Sequence, residues 1–268
     1  MKDKTVKKSG KGLRIVFVLI MAVLLGIIGF CVYNIIIIQN EYNESKDAFQ
    51  AVADLVVKKI EVPASDDNKT DITVDIDFDE LAKQNKDIFA WIYCEGTPLN
   101  YPIVKGKNNE QYLRHLIDGR YNNSGTLFLD AANSKDLSDA RSFIFGHNMK
   151  NGTMFACLLN YSKNGYYEEH PYIYLFTKDV NYRLEVFSAY KTTDADKESY
   201  SREFDRDDDM TAYFNKMKAR SDFSCDVEYA AGDKILTLST CEYSRASGRY
   251  VVHCLLKPIE NERSEERR

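Results

Sequence analysis

The chain has 268 residues, 44% hydrophobic and 29% charged, a balance that supports a real core and excludes a mainly membrane-embedded protein. Glycine (13) and proline (5) are sparse, so most of the chain is expected to be ordered. The net charge is −5, but residues 1–40 carry six Lys/Arg and one acidic residue, which leaves 30 basic and 40 acidic residues and a net −10 for the rest. So acidic a body does not neutralise phosphates, which argues against a nucleic-acid partner.

Lys2, Lys4, Lys7, Lys8, Lys11 and Arg14 precede an uncharged stretch from Ile15 to Asn40. Its apolar heart, Ile15–Ile38, matches the ~20 residues that a bilayer-spanning helix needs. A cleaved signal peptide shares the basic start, but this run exceeds a signal core and no small-x-small site follows it. The expectation is an uncleaved anchor, with 1–14 a cytoplasmic basic tail and 15–38 the transmembrane span. Basic flanks stay inside, so residues from about Glu41 face outward, and the protein is a single-pass cell-membrane protein.

Tyr42, Phe49, Val52, Leu55 and Val56 fall at helical spacing and predict a helix over Glu41–Lys59. The polar, acidic Glu61–Asp71, with one proline, reads as a linker, so 39–76 is an extracellular helix and linker. Asp77–Asp87 reads as a helix capped by an early Asp. The pattern then turns mainly β: Ile88–Tyr93, Tyr101–Val104, Thr126–Leu129, Ser142–Phe145, Tyr172–Phe176, Asn181–Tyr190, Lys234–Ser239 and Arg249–Leu256 are short β-rich runs bounded by turns. Such a series predicts a closed barrel or a sandwich. Two helical segments interrupt it, Phe155–Tyr161 and Asp207–Lys218, the second acidic at its start and basic at its end as the helix dipole favours. The globular domain is expected over 77–258, with 259–268 a charged tail.

Six cysteines are present, and Cys31 lies in the apolar span, so five remain outside and at least one thiol must be free. They form no CxxC pair and no metal-like cluster, so neither a metal nor a cofactor is expected. Cys94, Cys157 and Cys254 read as buried, unreactive thiols. Cys241 differs. It closes Ile235-Leu-Thr-Leu-Ser-Thr-Cys241, where a strand should end, and alternation gives it a face with Thr237 and Ser239, opposite Leu236 and Leu238. A thiol on a small, polar row is placed for nucleophilic chemistry, given a lowered pKa or a nearby base.

Among four histidines, His147 alone follows a strand at a strand-to-loop exit, in Phe143-Ile-Phe-Gly-His-Asn-Met149, where an imidazole can transfer protons. His115 sits in an expected helix beside Arg114, His170 precedes Pro171, and His253 is mid-strand. Arg249, eight residues after Cys241, is a permanent cation with five donors, suited to hold a carbonyl or a developing oxyanion. Each residue alone has an ordinary structural reading, and their joint weight comes from the sequence around them.

Thr237-Leu-Ser-Thr-Cys241 with Arg249, and Gly146-His-Asn-Met149 about ninety residues upstream, resemble the sortases, class B in particular. The likeness runs from about Phe78 to Lys257 and includes Trp91-Ile and Tyr101–Val104. The serine within the Thr-Leu-x-Thr-Cys signature, the helix between the sixth and seventh strands and the extra N-terminal helices also resemble class B. The resemblance implies a sortase-type eight-stranded β-barrel and a cysteine transpeptidase of the Gram-positive cell envelope. Cys241 would attack the threonine carbonyl of a C-terminal sorting signal on a secreted protein. In class B relatives that signal is an asparagine- or serine/proline-led pentapeptide with threonine fourth. An amine of a lipid-linked peptidoglycan precursor or wall peptide would resolve the thioacyl enzyme. His147 would be the general acid and base and Arg249 the oxyanion donor, with help from the backbone N–H of Glu242, while Ser239 and Thr240 would line the cleft. A pilin-polymerising sortase, a purely hydrolytic cysteine protease and an inactive sortase-like binding module are the alternatives.

Overall fold

A computed structural model describes residues 10–61, 73–201, 207–244 and 246–259. The chain divides into two compact units, Met1–Glu44 and Ser45–Arg268, and the long helix α1, Gly10–Val56, is assigned across that division. Most of the basic tail, nearly all of the expected linker and all but one residue of the charged C-terminal tail lie outside the described residues.

In the first unit, the Ile15–Ile38 stretch is helical and its apolar side chains are exposed. Among the described residues, one helix is long and apolar enough to cross a membrane, with a mean hydropathy of 3.2 over its best window. Asn34, the polar residue in that stretch, donates its amide to the Phe30 carbonyl one turn back at 2.7 Å, so its polarity is met within the helix.

In the second unit, the last turns of α1 bury Ser45, Phe49, Val52, Ala53 and Val56, residues at helical spacing, and the Phe49 ring meets Tyr101 edge-on at 5.4 Å. The helix stops at Val56, short of the expected Lys59. Val57–Glu61 is instead strand β1, antiparallel to β2, Thr73–Ile76. Helical periodicity in 41–56 carries no information about a partner strand beyond the intervening segment, and β-branched Val57 suits the pairing. Helix α2, Phe78–Gln84, begins as expected, with the Asp77 side chain accepting from the Glu80 N–H at 2.9 Å. It ends three residues before Asp87, because Asn85 is extended and its amide reaches the Tyr112 hydroxyl and the Ile117 carbonyl.

Eight strands then close a barrel: β3 (Ile88–Tyr93), β4 (Asn100–Val104), β5 (Leu127–Leu129), β6 (Arg141–Phe145), β7 (Tyr172–Thr177), β8 (Asn181–Thr193), β9 (Lys234–Cys241) and β10 (Gly248–Ile259). The order around the barrel is β10-β8-β7-β3-β4-β5-β6-β9. Only the β4–β5 and β6–β9 pairings are parallel. Each predicted strand is present, within a few residues of its expected bounds. Phe155–Ser162 is a 3-10 helix, Tyr166–Glu169 a short helix α3, and α4, Asp207–Ala219, lies between the sixth and seventh barrel strands as the sequence implied. His115 is the exception among the helical readings. Asn108 caps the N–H groups of Glu110 and Gln111, but the chain then forms turns, and His115 bridges to Tyr121 instead of continuing a helix.

Alternation along β9 and β10 separates two cores. Leu236, Leu238, Val252 and Cys254 join Trp91, Ile103 and Leu175 inside the barrel. Ile235, Val251 and Leu255 face outward, where α4 covers them with Met210, Tyr213, Phe214 and Met217. Each fully buried side chain of this kind contributes roughly 1.5–3 kcal/mol. The crossover is thus fastened to the outer wall of the barrel, on the face that carries Thr237, Ser239 and Cys241.

Candidate active site

Cys241 is the last residue of β9, and its Cα partner on β10 is Arg249. Val251 faces Ser239 and His253 faces Thr237 in the same register, so Cys241 and Arg249 are side by side on the outer face. Directly opposed side chains in an antiparallel pair start about 4.5–5.5 Å apart at Cβ. His147 arrives from β6, which runs parallel to β9 with Phe145 beside Ser239. The Gly146 N–H donates to the Ser239 carbonyl at 3.2 Å, and His147 follows at once.

Gly146 fits for a steric reason. A Cβ there would lie 2.3 Å from Leu127 Cδ2 and 2.7 Å from Phe155 Cδ2, both on fully buried residues. The loop after His147 is tied back on both sides: Phe155 N–H donates to the His147 carbonyl (2.9 Å), and the Asn148 amide donates to the Cys241 carbonyl (3.0 Å).

His147, Cys241, Arg249, Ser239 and Thr240 all line one cavity of about 320 Å³. His147 Nε2 lies 2.7 Å from the Leu113 carbonyl. A carbonyl only accepts, so this contact places the proton on Nε2 and leaves Nδ1 as the basic nitrogen of the neutral ring. Burial lowers the His147 pKa below the ordinary imidazole value; the Leu113 carbonyl opposes this and the Arg114 charge adds to it. Arg249 is half-buried, donates to the Gly248 carbonyl (3.0 Å) and lies 3.4 Å from the Asp194 carboxylate. A neutral base, a half-buried thiol and a fixed guanidinium on one cavity are the parts that acyl transfer needs.

Ser239 and Thr240 are buried in the cavity wall; Ser239 Oγ lies 2.7 Å from the Tyr200 hydroxyl, whereas Thr240 Oγ1 has no hydrogen-bond partner. Glu242 is not among the cavity residues. Its N–H donates to the Gly248 carbonyl at 2.9 Å, and its carboxylate holds Ser244 and Lys191, so in this arrangement it closes the β9–β10 turn. The cavity also takes in Asn109, Leu113, Asp194 and Tyr200. No sequence pattern marks these four, since loops and turns deliver them and no periodicity runs through them. All six cysteines are free, and no group of three or more metal-ligating side chains occurs among the described residues.

A family profile described as Sortase domain matches residues 92–257. Sortase B of Staphylococcus aureus (strain NCTC 8325 / PS 47) is 39% identical over 178 residues, covering 65% of this chain and 72% of that protein. Sortase B of Listeria monocytogenes serovar 1/2a is 34% identical over 175 residues, covering 65% and 71%. Among solved structures, a Staphylococcus aureus sortase B–substrate complex superposes with a TM-score of 0.64 at 37% identity, covering 68% of this chain and 85% of the other. Sortase B from B. anthracis in complex with AAEK1 gives 0.69 at 30%, covering 82% and 99%. The chain therefore belongs to the sortase family, class B, and is a cysteine transpeptidase.

Proposed function

We propose that Cys241 is the nucleophile of this transpeptidase and that it cleaves a C-terminal sorting signal after threonine. Cys241 Sγ attacks the threonine carbonyl carbon while its proton passes to His147 Nδ1. Arg249 holds the oxyanion of the tetrahedral intermediate. The scissile C–N bond then breaks, the leaving amine takes the proton from His147, and the threonine acyl group remains on sulfur. An incoming peptidoglycan amine attacks the thioester, gives up its proton through His147, and releases the Cys241 thiol with a new amide bond. The Glu242 N–H would join as a donor only by leaving the Gly248 carbonyl.

The apolar Ile15–Ile38 helix acts as an uncleaved anchor, with the basic tail cytoplasmic and the barrel outside. Both substrates, an exported protein and a lipid-linked wall precursor, meet at that surface. The observation that carries the reading is the shared cavity of Cys241, His147 and Arg249. A library of pentapeptides with threonine fourth, incubated with the enzyme with and without an added oligoglycine or diamine, tests it. Cleavage after threonine and an amide adduct with the added amine are expected; only the free acid in both arms would make the protein a hydrolase.

A further inference from the structure

After β8 the chain enters the crossover as Asp194–Ser201, a run of turns without helix or strand. Two of its side chains reach the cavity, Asp194 beside Arg249 and Tyr200 on Ser239. A segment with no ladder or helix of its own needs other partners to hold one conformation.

Those partners form a polar network away from the cavity. The Asp196 carboxylate accepts from Arg220 at the end of α4 (2.5 Å), from Thr192 Oγ1 (2.5 Å) and from Ser199 Oγ (2.8 Å). Burial alone would raise the Asp196 pKa, but these donors outweigh it and hold the carboxyl far below its ordinary value. From the other side, Arg141, 1% exposed at the start of β6, donates to the carbonyls of Ser199 (3.0 Å) and Ser201 and to Thr237 Oγ1 (3.2 Å). Neither Asp196, Arg220 nor Arg141 lines the cavity. A buried guanidinium costs desolvation that an apolar residue would avoid, so stability is a poor reason for it. Its rigid fork, however, fixes two carbonyls of one turn at once.

We propose that Asp196 and Arg220 are positioning residues for transpeptidation: with Arg141 they lock Asp194–Ser201 so that Asp194 and Tyr200 stand as a wall of the peptide cleft. The proposal rests on the reading of that cavity as the substrate cleft. The half-exposed Asp194–Arg249 contact at 3.4 Å is weak. The network therefore acts on peptide binding more than on the chemical step.

The test compares full-length wild type in detergent with Asp196→Asn, Arg220→Gln and Arg220→Lys, with Lys178→Gln, on a remote exposed ion pair, as control. The readouts are kcat and KM for a cleaved peptide, the rate at which a methanethiosulfonate reagent modifies Cys241, and the melting temperature. Asp196→Asn and Arg220→Gln should raise KM roughly tenfold, the scale of a lost charged hydrogen bond. The kcat and the thiol modification rate should stay within about twofold, the same bond being absent from the chemical step. Arg220→Lys should recover part of the loss, and the control should match wild type. An unchanged KM in a folded, active variant overturns the proposal alone. So does parallel loss of KM, thiol reactivity and melting temperature, which would make the network a general stabiliser. If Asp196→Asn does not fold, Thr192→Val, which removes one donor to the carboxylate, is judged by the same readouts. A wild type that cleaves no peptide would instead overturn the underlying reading of the cleft, and this proposal with it.

Discussion

Cys241 and Arg249 are directly opposed residues of the β9–β10 ladder, and alternation turns both side chains to the face that the crossover covers. Strand register thus sets the two residues side by side, with the guanidinium donating to the Gly248 carbonyl and lying near the Asp194 carboxylate. Arg249→Ala should lower kcat/KM for a cleaved peptide by about 10²–10³, the usual cost of an oxyanion donor. Arg249→Lys should recover little, because a single ammonium does not reproduce the fork. Steady-state peptide cleavage measures both, and near-normal activity of Arg249→Ala would remove the residue from the mechanism.

Gly146 sets the exit of His147. A Cβ there would press on the side chains of Leu127 and Phe155, both fully buried, so at least one of them must shift. Gly146→Ala should destabilise the protein by about 1–3 kcal/mol, the range for overpacking. It should also lower kcat by displacing the imidazole. Denaturant melts and peptide kinetics on the same sample separate the two effects.

The buried His253 makes stability fall with acid. Its ring nitrogens lie 2.8 Å from Thr237 Oγ1 and 3.1 Å from the Tyr190 hydroxyl. Burial, with Arg141 and Arg220 nearby, holds its pKa far below the ordinary value. An unfolded chain binds that proton near pH ~6.5 and the folded one does not. The unfolded state then holds more protons, so unfolding free energy drops by about 1.4 kcal/mol per pH unit below that point. His147, also lowered, acts in the same direction. Denaturant melts at about pH 7.5 and about pH 5 should show the loss, and His253→Gln should shrink it.

Thiol reactivity should sort the cysteines. Cys94, Cys157 and Cys254 are buried, and burial pushes their thiols up, Cys94 to about 11 and Cys157 to about 12. Alkylation of the folded enzyme followed by peptide mapping should leave these three unmodified until denaturation and label Cys241. Cys225→Ala, which removes a thiol 3.3 Å from the Phe187 carbonyl, should leave turnover unchanged.

The eight barrel strands were legible because each alternates or runs apolar between turn residues, and alternation in β9 correctly grouped Thr237, Ser239 and Cys241. That Cys241, His147 and Arg249 come to one cavity follows from their places at or just beyond strand ends, which the sequence pattern marks. The β1–β2 pairing was not legible, since a strand partner sixteen residues away leaves no local trace. The turns around His115 leave no distinct local pattern in the sequence, since what ends them is the bridge from His115 to Tyr121. The Asp196–Arg220 network was invisible for a further reason: its members come from a turn and a helix end, and only the fold brings them together.

The most direct measurement is intact-mass analysis of the full-length enzyme, mixed with a threonine-containing sorting peptide and quenched early, followed by mapping of the modified residue. The expected adduct ends at threonine, sits on Cys241, is absent from Cys241→Ala, and disappears as an amide when an amine is added. An adduct on another residue, or turnover that survives Cys241→Ala, would show that the sulfur at the end of β9 is not the nucleophile.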